Sequence, residues 1–425
     1  MRQTERMSDT EVITFGCRLN TFESEAIRRA AIAAGLSGAV IVNTCAVTAE
    51  AERQARQAIR RARRQHPAAR IIVTGCAAEI APDLYAGMPE VDQVLDNRAK
   101  LQAASYALDS STSPRPSPPL AGSDGEGDVG GPAVLQSNSR ARAFLQVQQG
   151  CDHRCTFCVI PYARGPSRSV PIGMIADQAH RLVAAGYREI VLTGVDLTGY
   201  GIDLPGKPRL GQMARRLLAA VPELERLRLS SLDPGEIDGD LWRLISEERR
   251  LMPHLHFSIQ AGDDLILKRM RRRHSRTQAI MVARNARALR PEVALGADLI
   301  AGFPTETEDM FQRSLDLIDE CGLAFVHVFP YSPRPGTPAA RMPQLPVSVI
   351  KERAARLRQA GNAALVAELT ARVGSETEVL IEQPGSGRAA FYAAVRFAAP
   401  ADEGSICRMR LVGSEGRALI GVPFQ

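Results

Sequence analysis

The sequence predicts an α/β protein of three parts: an N-terminal parallel α/β domain, a central partial (βα)6 barrel and a small C-terminal all-β module. Three observations carry this expectation. Up to residue 108, short β-branched runs alternate with helix-like stretches, the pattern of a parallel sheet covered by helices. Beyond residue 140 the alternation resumes at larger scale, through six strand–helix units. From about residue 368, short strand-like runs are separated by Gly and Pro.

In the first part, residues 8–108, EVITF (11–15) precedes a helical stretch near 21–34 and AVIVN (39–43) precedes a longer one near 48–65. RIIVT (70–74) precedes another, and VDQVL (91–95) reads as a further short strand. Residues 109–139 are dense in Ser, Pro, Gly and Asp and hold no aromatic residue. Such a stretch buries too little apolar surface to offset its ordering entropy, so it is expected to be a flexible linker. In residues 140–367 the candidate strands are FLQVQ (144–148), EIVLT (189–193), RLRLS (226–230), LHFSI (255–259), VALGADLI (293–300) and AFVHVF (324–329). A closed or partly open barrel fits these units, with a doubly wound sheet as the alternative. In residues 368–425, EVLIE (378–382), AAFYAAVRF (389–397), ICRMRLV (406–412) and RALIGV (417–422) read as strands of a small barrel-like module.

At ~100–200 residues per domain, the length of 425 residues suggests several domains. A hydrophobic fraction of 45% and a charged fraction of 24% exclude a wholly disordered chain, a collagen and a small disulfide scaffold. No run of ~18 apolar residues is present, which excludes a membrane-spanning helix, and no membrane partner is expected. MRQTERMSDTEVITFGC has neither an apolar core nor a small-residue cleavage site, so a cytoplasmic location is expected. The net charge of +6 permits a polyanionic partner without demanding one.

Eight cysteines carry most of the chemical information. Cys151, Cys155 and Cys158 lie in GCDHRCTFCVIPYARG, directly after a predicted strand. Three thiolates this close hold three irons of a [4Fe–4S] cluster and leave the fourth iron open. Zinc is the alternative, with His153 as the nearest fourth ligand, but a closed structural zinc site wants four well-placed ligands. A disulfide between two of the three is the other bland reading. Cys17, Cys45 and Cys76 are remote in sequence, yet each follows a predicted strand, in ITFGC, IVNTC and IIVTGC. Parallel strands end on one sheet edge, so these thiols are expected to converge as a second three-thiolate site. Burial as ordinary core cysteines is the alternative. Cys321 and Cys407 have no partner at metal-ligand spacing and read as structural, while Met270 and Trp242 read as core.

The C-x3-C-x2-C spacing with Phe157 before the last cysteine resembles the motif of radical S-adenosylmethionine enzymes. The two cysteine triads together, with the order of the parts, resemble the radical methylthiotransferases over nearly the whole chain. That resemblance implies two [4Fe–4S] clusters, S-adenosylmethionine, a radical barrel and a C-terminal β module of the TRAM type. It implies that the Cys151/Cys155/Cys158 cluster binds and cleaves S-adenosylmethionine, while the Cys17/Cys45/Cys76 cluster carries the sulfur to be methylated and transferred. It also implies an electron-donor protein such as a flavodoxin or ferredoxin. The linker is longer than the family pattern and reads as an insertion.

GCRLNTFESE (16–25), GCDHRCTFCVIPYARGPSRS (150–169) and LHFSIQAGDDLILKRMRRRHSR (255–276) look most like the branch that modifies threonylcarbamoyladenosine beside the tRNA anticodon. The other branches act on isopentenyladenosine of tRNA or on ribosomal protein S12. A non-catalytic zinc-stabilised RNA-binding protein is the reading from another class. The resemblance implies that Phe157, Thr193, Gly194 and Asp196 bind the cofactor; Ser258, Gln260 and Asp298 are candidates because active-site groups gather at the carboxyl ends of barrel strands, with a turn or cap role as the alternative for these strand-end residues. Arg164 and Arg168 are candidates for meeting a substrate or cofactor carboxylate, with surface pairing as the alternative. Arg53, Arg56, Arg60, Arg61, Arg63 and Arg64, and a second run through Lys268, Arg269, Arg271, Arg272, Arg273, His274 and Arg276, are candidates for contacting the anticodon stem-loop; solvated helix faces are the alternative.

Overall fold

A computed structural model describes residues 10–107 and 141–424, so the expected linker at 109–139 lies outside the described residues. Contacts divide the chain into two units. One takes the described residues up to 107 together with Gly150–His153 and Cys158–Pro166; the other takes the remaining described residues from 141 onward. No helix among the described residues is long and apolar enough to cross a membrane.

The first unit is built on β1 (Glu11–Thr14), α1 (Arg18–Ala33), β2 (Ala39–Thr44), α2 (Ala49–Gln65), β3 (Arg70–Gly75), α3 (Cys76–Ile80), α4 (Pro82–Ala86) and β4 (Gln93–Val94). The strands pair in parallel in the order β1-β2-β3-β4. Helices cover both faces, which explains why β2 is apolar and buried along most of its length rather than alternating. Val40, Val42, Ile71 and Val73 pack on one face with Ile59 and Tyr85, while Ala39, Ile41 and Ile72 pack on the other with Ile27 and Tyr106. Thr48 caps α2 by accepting the Ala51 N–H, and Glu50 and Glu52 complement the positive end of its dipole. Helix α5 (Ile160–Arg164) joins this unit through Val159 and Ala163, which pack into the same core.

The second unit begins with β5 (Arg142–Gln146), β6 (Gln148–Gln149), β7 (Arg168–Ser169), α6 (Ile172–Ala184), β8 (Glu189–Thr193), α7 (Leu210–Ala220), β9 (Arg226–Leu229), α8 (Gly239–Glu247) and β10 (His254–Gln260). It continues with α9 (Asp264–Met270), α10 (Arg276–Leu289), β11 (Ala294–Ala301), α11 (Glu308–Glu320), β12 (Leu323–Pro330) and α12 (Val347–Arg372). Six parallel strands fall in two sheets, β5-β8-β9 and β10-β11-β12. Parallel bridges Leu227↔Leu251 and Leu232↔Phe257 connect the two across the turn from β9 to β10. Spatial order follows chain order without reversal, as in a partial barrel; a doubly wound sheet would reverse at a switch point.

Helix α12 runs through residues 368–372, so the β module starts later than its composition indicates. It comprises β13 (Glu376–Gln383), β14 (Ser386–Ala389), β15 (Ala394–Arg396), β16 (Ile406–Glu415) and β17 (Ala418–Pro423), closed in the order β13-β14-β15-β17-β16. The run AAFYAAVRF does not make one strand. Tyr392 takes the left-handed conformation, with φ of 79°, and turns the chain between β14 and β15. Glu189 stands fully buried at the start of β8 and accepts from Arg228 at 3.0 and 3.1 Å, with Arg142 and Arg226 nearby at 3.6 and 3.8 Å. Arg226 also reaches Glu378, and Arg142 reaches Glu382, so one carboxylate organises the link from barrel strands to β module.

Replacing Ile41, which is fully buried, with Ala is expected to destabilise the N-terminal sheet by ~2–5 kcal/mol. Ile32→Ala, at a side chain 65% exposed, is expected to stay within ~0.5 kcal/mol of the parent, both variants being read by urea titration.

Candidate metal centre

The register of the first sheet decides where its cysteines stand. Thr14 pairs with Asn43, Asn43 with Thr74 and Thr44 with Gly75, so β1, β2 and β3 end together. The next residues along those strands lead to Cys17, Cys45 and Cys76. Cys17 is the N-cap of α1, Cys45 follows β2 and Cys76 opens α3. A Cβ on Gly16 would lie 2.6 Å from both Cβ and Sγ of Cys45, and Gly16 has φ of 97°. Only glycine serves there, because the backbone must pass close to that thiol in a left-handed conformation.

Cys45 and Cys76 are buried and Cys17 is exposed. Burial pushes the Cys45 thiol up to about 12, with the neighbouring Cys17 and Cys76 adding to the rise and the Val47 N–H opposing it. Burial also raises the Cys76 thiol, against the pull of Arg164 and Lys100. Cys45 and Cys76, hard to charge while buried alone, become favourable ligands once a cation replaces their protons.

Arg164, a candidate for surface pairing or a substrate carboxylate, is instead buried inside this unit. Its Nη1 and Nη2 donate to the two oxygens of Glu23 at 2.7 and 2.9 Å. Nη2 also donates to Asn20 Oδ1 at 2.8 Å, and Nε points at Cys76 Sγ at 3.2 Å. Lys100 Nζ donates to Glu23 Oε2 and to Asn97 Oδ1, both at 2.7 Å. Burial alone would raise the Glu23 carboxyl, but Lys100 and Arg164 outweigh it and hold it at about 2. Arg168 is exposed on β7.

Cys151, Cys155 and Cys158 are half-buried on the loop that follows β6. In the first unit, Cys151 N–H donates to the Gly165 carbonyl at 3.1 Å, and Gly150, with φ of 73°, leaves no room for a Cβ beside Pro166. In the second unit, Arg272 Nη1 stands 3.7 Å from Cys155 Sγ while Nη2 donates to Asp233 at 2.7 Å and to the Ser258 carbonyl at 2.6 Å. Thr156 is held at both ends, its N–H on the Met270 carbonyl and its hydroxyl on the Arg269 carbonyl. Phe157 meets Phe303 edge to face at 6.4 Å.

The remaining expected cofactor residues fall into two groups in the second unit. Thr193 ends β8, and Gly194 lets Gln148 approach to within 3.0 Å of where a Cβ would sit. Gln148 Oε1 accepts the Asp196 N–H at 2.8 Å and its amide donates to Ser167, so this turn is pinned by β6. Ser258 and Gln260 lie at the end of β10, where Gln260 adopts φ of 76° and the register slips. Asp298, in the middle of β11, accepts from His256 Nε2 at 2.9 Å and from His327 Nδ1 at 3.3 Å. Burial would raise its carboxyl, but the two imidazoles hold it well below the usual carboxylate range.

Sequence reasoning missed Glu23, Lys100, Gln148, His256 and His327, and read Arg272 only as part of a basic run. Three of that run's members point inward: Arg272 as above, Arg269, which donates to Thr305 Oγ1 at 2.8 Å, and His274, which is buried with Nε2 3.2 Å from the Ile259 carbonyl. On α2, Arg53, Arg60, Arg61 and Arg64 are exposed, whereas Arg63 binds Asp92 and backbone carbonyls.

Residues 145–318 match the model described as the radical SAM superfamily, and residues 9–96 match that described as uncharacterized protein family UPF0004. The chain is 49% identical over 406 residues to the threonylcarbamoyladenosine tRNA methylthiotransferase MtaB of Rickettsia prowazekii, covering 95% of each. It is 34% identical to the tRNA-2-methylthio-N(6)-dimethylallyladenosine synthase of Novosphingobium aromaticivorans, covering 96% of each. Among solved structures, the radical S-adenosylmethionine methyltransferase TsrM of Kitasatospora setae superposes with a TM-score of 0.52 at 17% identity, over 71% of this chain and 63% of that one, a likeness of fold. The chain belongs to the radical S-adenosylmethionine methylthiotransferase family, in its threonylcarbamoyladenosine branch.

Proposed function

We propose that the chain attaches a methylthio group to C2 of N6-threonylcarbamoyladenosine beside the tRNA anticodon. The observation that carries the substrate is the 49% identity over 95% of the chain to one threonylcarbamoyladenosine enzyme; other enzymes of that name stand at 33–37%, beside dimethylallyladenosine enzymes at 31–34%. The convergence of Cys17, Cys45 and Cys76 at one sheet edge supports a second cluster beside the one expected at Cys151, Cys155 and Cys158.

When bound, iron–sulfur clusters and S-adenosylmethionine supply the one-electron chemistry needed to activate an aromatic C–H bond, which no side chain of this chain provides. The protein's part is to hold and shield. Cys151, Cys155 and Cys158 would hold one cluster, with Arg272 fixing Cys155 and with Phe157 packed behind. Thr193, Gly194 and Asp196, pinned by Gln148, and Ser258, Gln260 and Asp298 along β10 and β11 are the residues proposed to seat S-adenosylmethionine. The exposed arginines of α2 and the exposed Arg408 and Arg410 of the β module are suited to phosphate contacts with the anticodon stem-loop. A flavodoxin or ferredoxin in a cytoplasmic setting would deliver the electron.

Cys155→Ala and Cys17→Ala are each expected to abolish the methylthiolated nucleoside in a complemented deletion strain, read by mass spectrometry of tRNA nucleosides, while filter binding of tRNA persists. Loss of a methylthio isopentenyladenosine instead would reassign the substrate. The anaerobically purified protein is expected to absorb broadly in the visible; a colourless protein with stoichiometric zinc would favour the RNA-binding alternative. Arg408→Glu with Arg410→Glu is expected to weaken tRNA binding and to flatten its dependence on salt concentration, with iron content unchanged.

A further inference from the structure

Cys76 carries a buried partner for which the cluster-ligand pattern makes no provision. Resting on the reading of Cys17, Cys45 and Cys76 as ligands of a second cluster, we propose that Arg164 is a positioning residue of that cluster. Its Nε–H holds the Cys76 sulfur, and its charge balances the anionic site.

Arg164 is 4% exposed, and its donors divide cleanly. The guanidinium fork is taken by Glu23 and Asn20, which leaves Nε aimed at Cys76 Sγ at 3.2 Å. A desolvated cation needs a counter-charge, and Glu23 is shared with Lys100, which is fully buried as well. One carboxylate therefore faces two cations. The single negative charge of Glu23 stands against the two positive charges of Arg164 and Lys100, so one positive charge is left in surplus in the group that meets the Cys76 sulfur. A neutral thiol does not match it. An oxidised [4Fe–4S] cube on three thiolates carries one net negative charge and does.

The geometry also requires arginine. A lysine places one compact ammonium, which serves the carboxylate or the sulfur; the guanidinium serves both in one plane. Helix α5 follows Cys158 directly, so the loop that bears the other triad also supplies this contact. Both the N–H···S bond and the local positive charge favour the more electron-rich state of a cluster, so Arg164 raises its reduction potential.

The test uses the full-length chain carrying Cys151→Ala, Cys155→Ala and Cys158→Ala, so that a single cluster remains after anaerobic reconstitution. Iron per chain and midpoint potential, by potentiometric electron paramagnetic resonance, are compared in this background with Arg164→Lys and Arg164→Gln. Both variants are expected to shift the potential downward. Gln, which also removes the charge, is expected to fall below the parent's roughly four irons per chain, while Lys stays near it. Full iron loading with an unshifted potential in the Lys variant would overturn the role of Arg164, and it remains decisive even where the Gln variant folds poorly. A parent that takes up no iron would overturn the second-cluster reading itself, and this inference with it.

Discussion

In-register parallel pairing is the constraint on which the rest of the first unit depends. Three strands that start at different points in the chain end at one edge because Thr14, Asn43 and Thr74 share a row of the ladder. A slip of one residue in β2 would turn Val40 and Val42 to the opposite face and move Cys45 off that row. The apolar packing of both faces therefore fixes the chemistry: Ile41 and Val42 hold the register, and the register holds the thiols together.

Each unit also contains one buried carboxylate that organises cations from distant segments. Glu23 gathers Arg164 and Lys100, and Glu189 gathers Arg228, Arg142 and Arg226. Both stay ionised in spite of burial, held at about 2 by their partners. Such clusters contribute little net stability compared with apolar packing, since desolvation offsets the attraction. Their value is directional. The carboxylate plane and the guanidinium forks accept few alternative arrangements.

Much of this architecture was legible in the amino-acid order. EIVLT became β8 at its expected bounds, and the six barrel strands fell close to their expected positions, because buried parallel strands read as unbroken β-branched runs. Cys17, Cys45 and Cys76 were legible because each follows such a run. The β module was less so. AAFYAAVRF is apolar throughout, and only the backbone conformation of Tyr392 shows the turn inside it. Polar partners were the least legible. Lys100 and Arg164 meet Glu23 only through the fold, and Arg272, one of many cations in LKRMRRRHSR, is distinguished from its exposed neighbours Arg271 and Arg273 by the helix end that turns it toward Cys155. Periodicity reports which side of an element is apolar; it does not report which remote charge arrives there.

The unequal exposure of the first triad has a consequence for traffic. Cys45 and Cys76 are sealed into the protein, while Cys17 faces solvent at the start of α1. A small thiol-reactive molecule in water, dioxygen among them, therefore meets Cys17 before it meets either of the other two.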